Sequence, residues 1–253
     1  MNSLLSNLPE RPVKPRNIGV TMVMDKGIGF RQAEDLVMSA GHLIDYIKLG
    51  FGTSLFTHGV EEKVALYKKH GIDVFVGGTL FEAFVYRNQV DNYRAWIEKI
   101  GCNAVEISDG SMEMVHELKC NLIRQFSADY IVLSEVGNKE ADKHISPSRW
   151  VEMTENELNA GSRLVIAEAR ESGTVGIYKE GGEADTDLID QLLAKISPDK
   201  MMWEAPQKTQ QVWFIKKLGH NVNLGNISPA EIIPLETLRT GLRGDTFMTF
   251  ISL

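Results

Sequence analysis

Short apolar runs alternate with longer stretches of helical period along nearly the whole chain. The apolar runs are Ile18–Met24, Ile44–Leu49, Asp73–Val76, Ala104–Ile107, Tyr130–Leu133, Leu164–Ala167, Met201–Trp203 and Val222–Leu224. Each is too short for a helix, and several are rich in Val and Ile, as parallel strands buried on both faces are. Between them, apolar positions recur at helical spacing over Phe30–Ala40, Glu61–His70, Asn92–Ile100, Met112–Phe126, Arg149–Ala160, Asp187–Ile196 and Gln207–Leu218. A last, interrupted segment covers Pro229–Leu242. Gly41, Gly71, Gly101 and Gly219 follow four of these helical segments, where a left-handed C-terminal cap is expected.

Strands alternating with helices build either a doubly wound sheet or a closed barrel. No GxGxxG follows the first run, so nothing supports a dinucleotide-binding unit. A chain of 253 residues also suits a barrel. The sequence therefore predicts an α/β protein: an N-terminal arm over residues 1–16 and a single (β/α)8 TIM barrel over 17–253.

Composition narrows the partners. A net charge of -7 argues against nucleic acid, which selects a basic stripe. No stretch has the run of apolar residues that a membrane span needs, and the Leu4-Leu5 patch is too short for a signal-peptide core. Cys102 and Cys120 fit no metal spacing and read as buried, reduced thiols. A soluble cytoplasmic protein is expected.

The chemistry gathers at the ends of the apolar runs. Asp25 and Lys26, Lys48, Glu106, Glu135, Glu168 and Glu204 all stand there, and the strand C-termini of a barrel converge on the face that carries active sites. Strand alternation places Glu135 with Leu133, Glu168 with Ile166, Glu106 with Ala104 and Lys48 with Tyr46, all inward. One glutamate at a strand end is usually a cap or loop anchor. Four from four strands point instead to a shared site. Carboxylates without a His or Cys cluster suit a hard cation, Mg²⁺ first, with Glu106 and Glu135 the preferred ligands and Glu168 and Glu204 further candidates. The six histidines are scattered and need no role.

Basic residues complete the set. Lys139 lies four residues past Glu135, and Arg170 two past Glu168. Arg239 and Arg243 lie one helical turn apart. Phosphate commonly binds near the last two strands of such barrels, which makes Leu224–Ser228, with Gly225 and Asn226, a candidate phosphate loop. A plain Gly-Asn turn explains that segment equally well. Either arginine could serve the phosphate, or pair with Asp245 or Glu236.

Six stretches carry a resemblance: TMVMDKG (Thr21–Gly27), IKLGFGT (Ile47–Thr53), GGTLFE (Gly77–Glu82), VEISDG (Val105–Gly110), SEVGNK (Ser134–Lys139) and LETLRTGLRGD (Leu235–Asp245). In this order the chain resembles the phosphosulfolactate synthases, from about Pro15 to Phe247. The resemblance implies a magnesium-dependent carbon–sulfur lyase working in the synthetic direction. Sulfite adds to C3 of phosphoenolpyruvate, C2 is protonated, and (R)-2-phospho-3-sulfolactate results, a precursor of coenzyme M or of sulfolactate. It implies Lys139 as the acid, although Asn138 stands where some relatives carry another lysine; Lys48 and Lys26 are the next acids. Glu135 becomes a metal ligand or the partner of that lysine, and a homo-oligomer is expected; Lys26 and Arg170 are candidate substrate contacts by their positions at the strand ends. Two alternatives remain open at this stage. One is another reaction of a small phosphorylated substrate on the same scaffold, such as an aldolase or decarboxylase. The other is a non-catalytic binding barrel.

Overall fold

The computed structural model describes residues 5–137, 145–169, 176–179 and 181–250. Eight parallel strands form the wall of a barrel: β1 (Thr21–Asp25), β2 (Tyr46–Leu49), β3 (Asp73–Val76), β4 (Ala104–Ile107), β5 (Ile131–Val136), β6 (Leu164–Ala167), β7 (Met201–Glu204) and β8 (Leu224–Ile227). Their order is β3-β2-β1-β8-β7-β6-β5-β4. Around them lie α1 (Phe30–Ala40), α2 (Val60–Lys69), α3 (Gly78–Tyr86), α4 (Val90–Ile100), α5 (His116–Ser127), α6 (Pro147–Ala160), α7 (Thr186–Leu193), α8 (Lys208–Leu218) and α9 (Ile232–Arg239).

Alternation along the strands divides the apolar residues into two cores. Met22, Tyr46, Phe75, Ala104, Leu133, Ile166 and Met202 fill the barrel interior. Val23, Ile47, Val74, Val105, Val132, Val165 and Trp203 face the helices and pack with them. A strand buried on both faces has no polar side, which is why these runs read as continuously apolar.

The ring closes unusually between β3 and β4. No backbone ladder joins these two strands among the described residues. Instead the Asn103 side chain accepts from Val74 N at 3.0 Å and donates to Asp73 Oδ1 at 2.7 Å. At the other end of the seam, Glu106 Oε1 accepts from Gly78 N at 2.6 Å. A second irregularity lies between β1 and β8. Thr21 pairs with Leu224 but Val23 with Ile227, so β8 carries one extra residue, a bulge. Asn226 takes the left-handed conformation there (φ 56°).

Three expectations need correction. The helix α3 had not been expected: its segment GTLFEAFVY is too densely apolar to show a helical stripe. Gly41 is not a left-handed cap; at φ -57° it stays right-handed and opens a 3-10 turn over Gly41–Leu43, whereas Gly101 (φ 79°) does cap α4 that way. The segment Leu224–Ile227 is strand rather than loop, its polar Gly225 and Asn226 having hidden it.

The arm packs on the N-terminal end of the barrel. Arg11 pairs with Glu236 at 2.9 Å and Arg16 with Asp45 at 2.8 Å, while Lys14 donates to the carbonyl of Gly41 at 3.2 Å. Among the described residues no helix is long and apolar enough to cross a membrane.

Candidate active site

At the C-terminal mouth of the barrel lies a cavity open to solvent, whose wall includes Lys48, Glu106, Glu135, Glu168, Glu204 and Asn226. The five charged side chains come from the ends of β2, β4, β5, β6 and β7, each from an inward position. Gly50, Gly77 and Gly78 line the same cavity, and Gly78 is required there because a Cβ would meet Ser108 Oγ and Glu106 Oε1, the latter at 2.6 Å.

Lys48 sits at the centre of the charge. Its ammonium lies 2.8 Å from Glu106 Oε2, 3.3 Å from Glu135 Oε2 and 3.3 Å from Glu204 Oε1. Burial opposes its charge, but Glu106, Glu204, Glu135 and Glu168 overcome that and hold its pKa well above the ordinary value. One ammonium cannot balance four buried carboxylates. The excess shows at Glu204: burial pushes its pKa up to about 7, Glu135 and Glu106 add to the rise, and Lys48 and the Ala169 amide only partly offset it. The Ala169 N–H donates to Glu204 Oε2 at 2.9 Å and fixes that carboxylate.

Ligand oxygens of Glu135, Glu168 and Glu204 lie within 4.8 Å of one another. An all-oxygen set in a region of excess negative charge fits a hard divalent cation. Glu106 stands apart from this trio, engaged by Gly78 N and Lys48. The expected preference was Glu106 with Glu135; the residues whose oxygens the structure brings together are Glu135, Glu168 and Glu204. Strand periodicity could place Glu106, Glu135 and Glu168 inward but could not rank the glutamates.

The basic candidates separate. Lys26 is exposed at the rim, its ammonium 5.8 Å from the centre of the Phe51 ring, and Phe51 lines the cavity in a left-handed conformation (φ 55°). Arg239 is not a phosphate ligand. It is fully buried at the opposite end of the barrel, donating to the carbonyls of His220 at 2.8 Å, Val222 at 2.6 Å and Val20 at 3.3 Å. Its carbonyl partners explain how a guanidinium survives there. Nor does it pair with Glu236 or Asp245, whose partners are Arg11 and Lys208. Arg243 is half-buried beyond α9 and does not line the cavity. Of the Gly-Asn pair, Gly225 packs deep in the barrel, where a Cβ would stand 2.8 Å from Met22 Cε, while the bulge brings Asn226 to the cavity wall. The Asn226 Oδ1 is buried there without a hydrogen-bond partner. Asp25, although at a strand end, faces the helices and binds Lys63 and Tyr67, each at 2.9 Å. Lys139 and Arg170 lie outside the described residues; the flanking Gly137 and Ala169 stand at the mouth, Gly137 against Glu168 and Ala169 in the cavity wall. Phe51 and the Gly77–Thr79 turn were missed as site residues, because glycine and a lone aromatic carry no charge signal.

The family described as (2R)-phospho-3-sulfolactate synthase (ComA) matches residues 9–245. A phosphosulfolactate synthase of Methanothermobacter thermautotrophicus is 44% identical over 253 residues, covering 97% of this chain and 98% of that protein. One from Bacillus subtilis is 41% identical over 250 residues, covering 98% and 99%. Among solved structures, the YdjI aldolase of Escherichia coli K12 superposes with a TM-score of 0.55 at 13% identity, over 85% of this chain and 76% of that one, a likeness of fold alone.

Proposed function

The chain belongs to the phosphosulfolactate synthase family, and on that premise we propose that the barrel mouth joins sulfite to phosphoenolpyruvate to give (2R)-2-phospho-3-sulfolactate. The observation that carries this reading is the charged mouth itself: Glu135, Glu168 and Glu204 gathered within 4.8 Å, with Lys48 beside them. A scaffold or simple binding barrel has no use for such a concentration of inward acids. The reaction builds negative charge on a substrate that is already anionic, and the acids would serve it by holding the divalent cation that offsets that charge.

Bond by bond, the sulfur lone pair of sulfite forms the bond to C3 of phosphoenolpyruvate. The C2–C3 π pair moves to C2 and into the adjoining carboxylate, and C2 then takes a proton. Making a carbon–sulfur bond without losing a group is carbon–sulfur lyase chemistry in reverse. Glu135, Glu168 and Glu204 would hold magnesium, which when bound would supply positive charge against the substrate carboxylate. Lys48 keeps the three glutamates from repelling one another. Lys139 delivers the proton to C2 from its ammonium. Lys26 and Arg170 bind the anionic groups, and Asn226 offers an amide to an oxygen of the substrate. Two buried free thiols, Cys102 and Cys120, suit a reducing cytoplasmic setting, and burial pushes the Cys102 thiol up to about 12.

The deciding experiment is direct. Purified protein incubated with phosphoenolpyruvate, sulfite and Mg²⁺ should form phosphosulfolactate, detected by mass and by its phosphorus resonance. Consumption of phosphoenolpyruvate only with some other nucleophile would reject sulfite as the substrate.

A further inference from the structure

Behind β5, on the side away from the cavity, a second buried ion cluster takes no part in the reaction as written above. Lys119 of α5 is fully buried, with its ammonium 2.8 Å from Asp109 Oδ1 and 2.8 Å from Glu157 Oε1 of α6. The same ammonium donates to the backbone carbonyl of Glu135 at 2.6 Å. Glu157 is fully buried as well. A buried ammonium demands compensation, and two carboxylates already provide it. The third partner is different in kind: it is the main-chain oxygen of the residue whose carboxylate enters the trio with Glu168 and Glu204. Holding that carbonyl fixes the peptide plane at the end of β5. Through the Cα atom it also fixes the direction in which the Glu135 side chain leaves the strand.

Lys119 thus joins four segments: α5, α6, the β4–α5 connection through Asp109, and the last turn of β5. Two residues further on comes Gly137, against Glu168. A single tether from outside the barrel therefore sets the Glu135 carboxylate and the end of β5.

We propose that Lys119, held in place by Glu157 and Asp109, is a positioning residue for Glu135, and that it acts on the reaction by orienting that carboxylate for the divalent cation. The inference rests on the reading of the barrel mouth as the active site. Partners of this kind, one step behind a metal-binding side chain, commonly govern affinity for the ion.

The test replaces the pair by apolar side chains of similar volume, Lys119→Met with Glu157→Leu, an exchange that generally preserves folding. The expected double variant melts cooperatively, yet kcat falls about 10–100-fold, and the Mg²⁺ concentration that half-saturates the rise in melting temperature increases by a similar factor. A folded double variant within about threefold of the parent in both measurements would overturn the proposal. Should the double variant fail to fold, Glu157→Gln and Glu157→Asp decide. Glutamine keeps the length and an acceptor oxygen for Lys119, whereas aspartate keeps the charge but withdraws it by one methylene. Positioning requires the glutamine variant to retain the stronger Mg²⁺ response; the reverse order would mean that charge balance alone matters, and would overturn the tether. Glu135→Gln separates this inference from its premise. Loss of turnover in Glu135→Gln beside a fully active double variant removes only the tether, whereas full turnover in Glu135→Gln removes the mouth as the site and the tether with it.

Discussion

Gly137 and Glu168 approach so closely that a methyl group on Gly137 would fall 2.4 Å from Glu168 Cβ, with Trp150 closing the other side at 3.1 Å. The backbone there has φ 141°, a conformation that side-chain-bearing residues seldom adopt. Gly137→Ala must therefore displace Glu168 or Trp150. The expected cost is about 1–3 kcal/mol in urea unfolding, the range for overpacking a close contact. Turnover should fall together with the stabilisation by Mg²⁺. An alanine variant with the parent's melting curve in both the presence and the absence of Mg²⁺ would show that the contact relaxes freely.

Glu204 predicts an unusual dependence of stability on pH. Its folded pKa is raised to about 7 from the ordinary value of 4.5, chiefly by burial. As pH falls from 8 through 7 toward 4.5, the folded state takes up a proton that the unfolded state does not, so stability rises over that window. A shift of this size corresponds to at most about 3 kcal/mol. Glu157, also pushed up to about 7 by burial, adds a rise of the same sign. Glu204→Gln should reduce the gain without abolishing it. Saturating Mg²⁺ should flatten it further, because a bound cation favours the ionised carboxylate. Urea titrations at pH 5.5 and 8, with and without Mg²⁺, measure both effects; an unchanged slope in Glu204→Gln would assign the gain elsewhere.

Arg239 tests stability and nothing else. Lysine cannot reproduce the fork that serves three carbonyls, so Arg239→Lys should lose about 1–3 kcal/mol, the cost of leaving buried acceptors unsatisfied. Its KM for phosphoenolpyruvate should match the parent's. A raised KM with unaltered melting would return this arginine to the substrate.

Lys139→Ala should lower kcat by about 10²–10⁴-fold, the usual contribution of a general acid, with phosphoenolpyruvate binding largely kept. Lys139→Arg should fail too, since guanidinium does not release its proton at working pH. Steady-state kinetics separate this from a binding role, which would raise KM and leave the arginine variant partly active.

Much of this architecture was legible in the chain. Asp73–Val76, Ala104–Ile107 and Leu164–Ala167 read as strands with their observed bounds because apolar runs of that length leave no other element. The inward placement of Lys48, Glu106, Glu135 and Glu168 followed from the two-residue period, and Glu204 was placed by its position at the end of an apolar run. Other features needed three dimensions. Arg239 looked like a phosphate ligand because one helical turn separates it from Arg243, and periodicity cannot say which end of the barrel a side chain reaches. Asn226 reached the cavity wall only through a bulge that breaks the alternation. Lys119 and Glu157 were invisible as a pair, since each reads as an ordinary helical charge until α5 and α6 pack together.

The seam between β3 and β4 ties two properties of the molecule to one side chain. Every other joint in the wall is sewn by main-chain ladders, which do not depend on side-chain identity. This one is pinned by Asn103 at one end and by Glu106 at the other. Glu106 also carries the shortest contact to Lys48 among the mouth glutamates. Its carboxylate is at once masonry and electrostatics. Changing it to adjust the charge of the mouth would also loosen the wall, and repairing the wall with an uncharged amide would release Lys48 toward Glu135 and Glu204. A substitution at this position therefore has no purely catalytic or purely architectural meaning, and kinetic losses measured there must be weighed against the integrity of the ring.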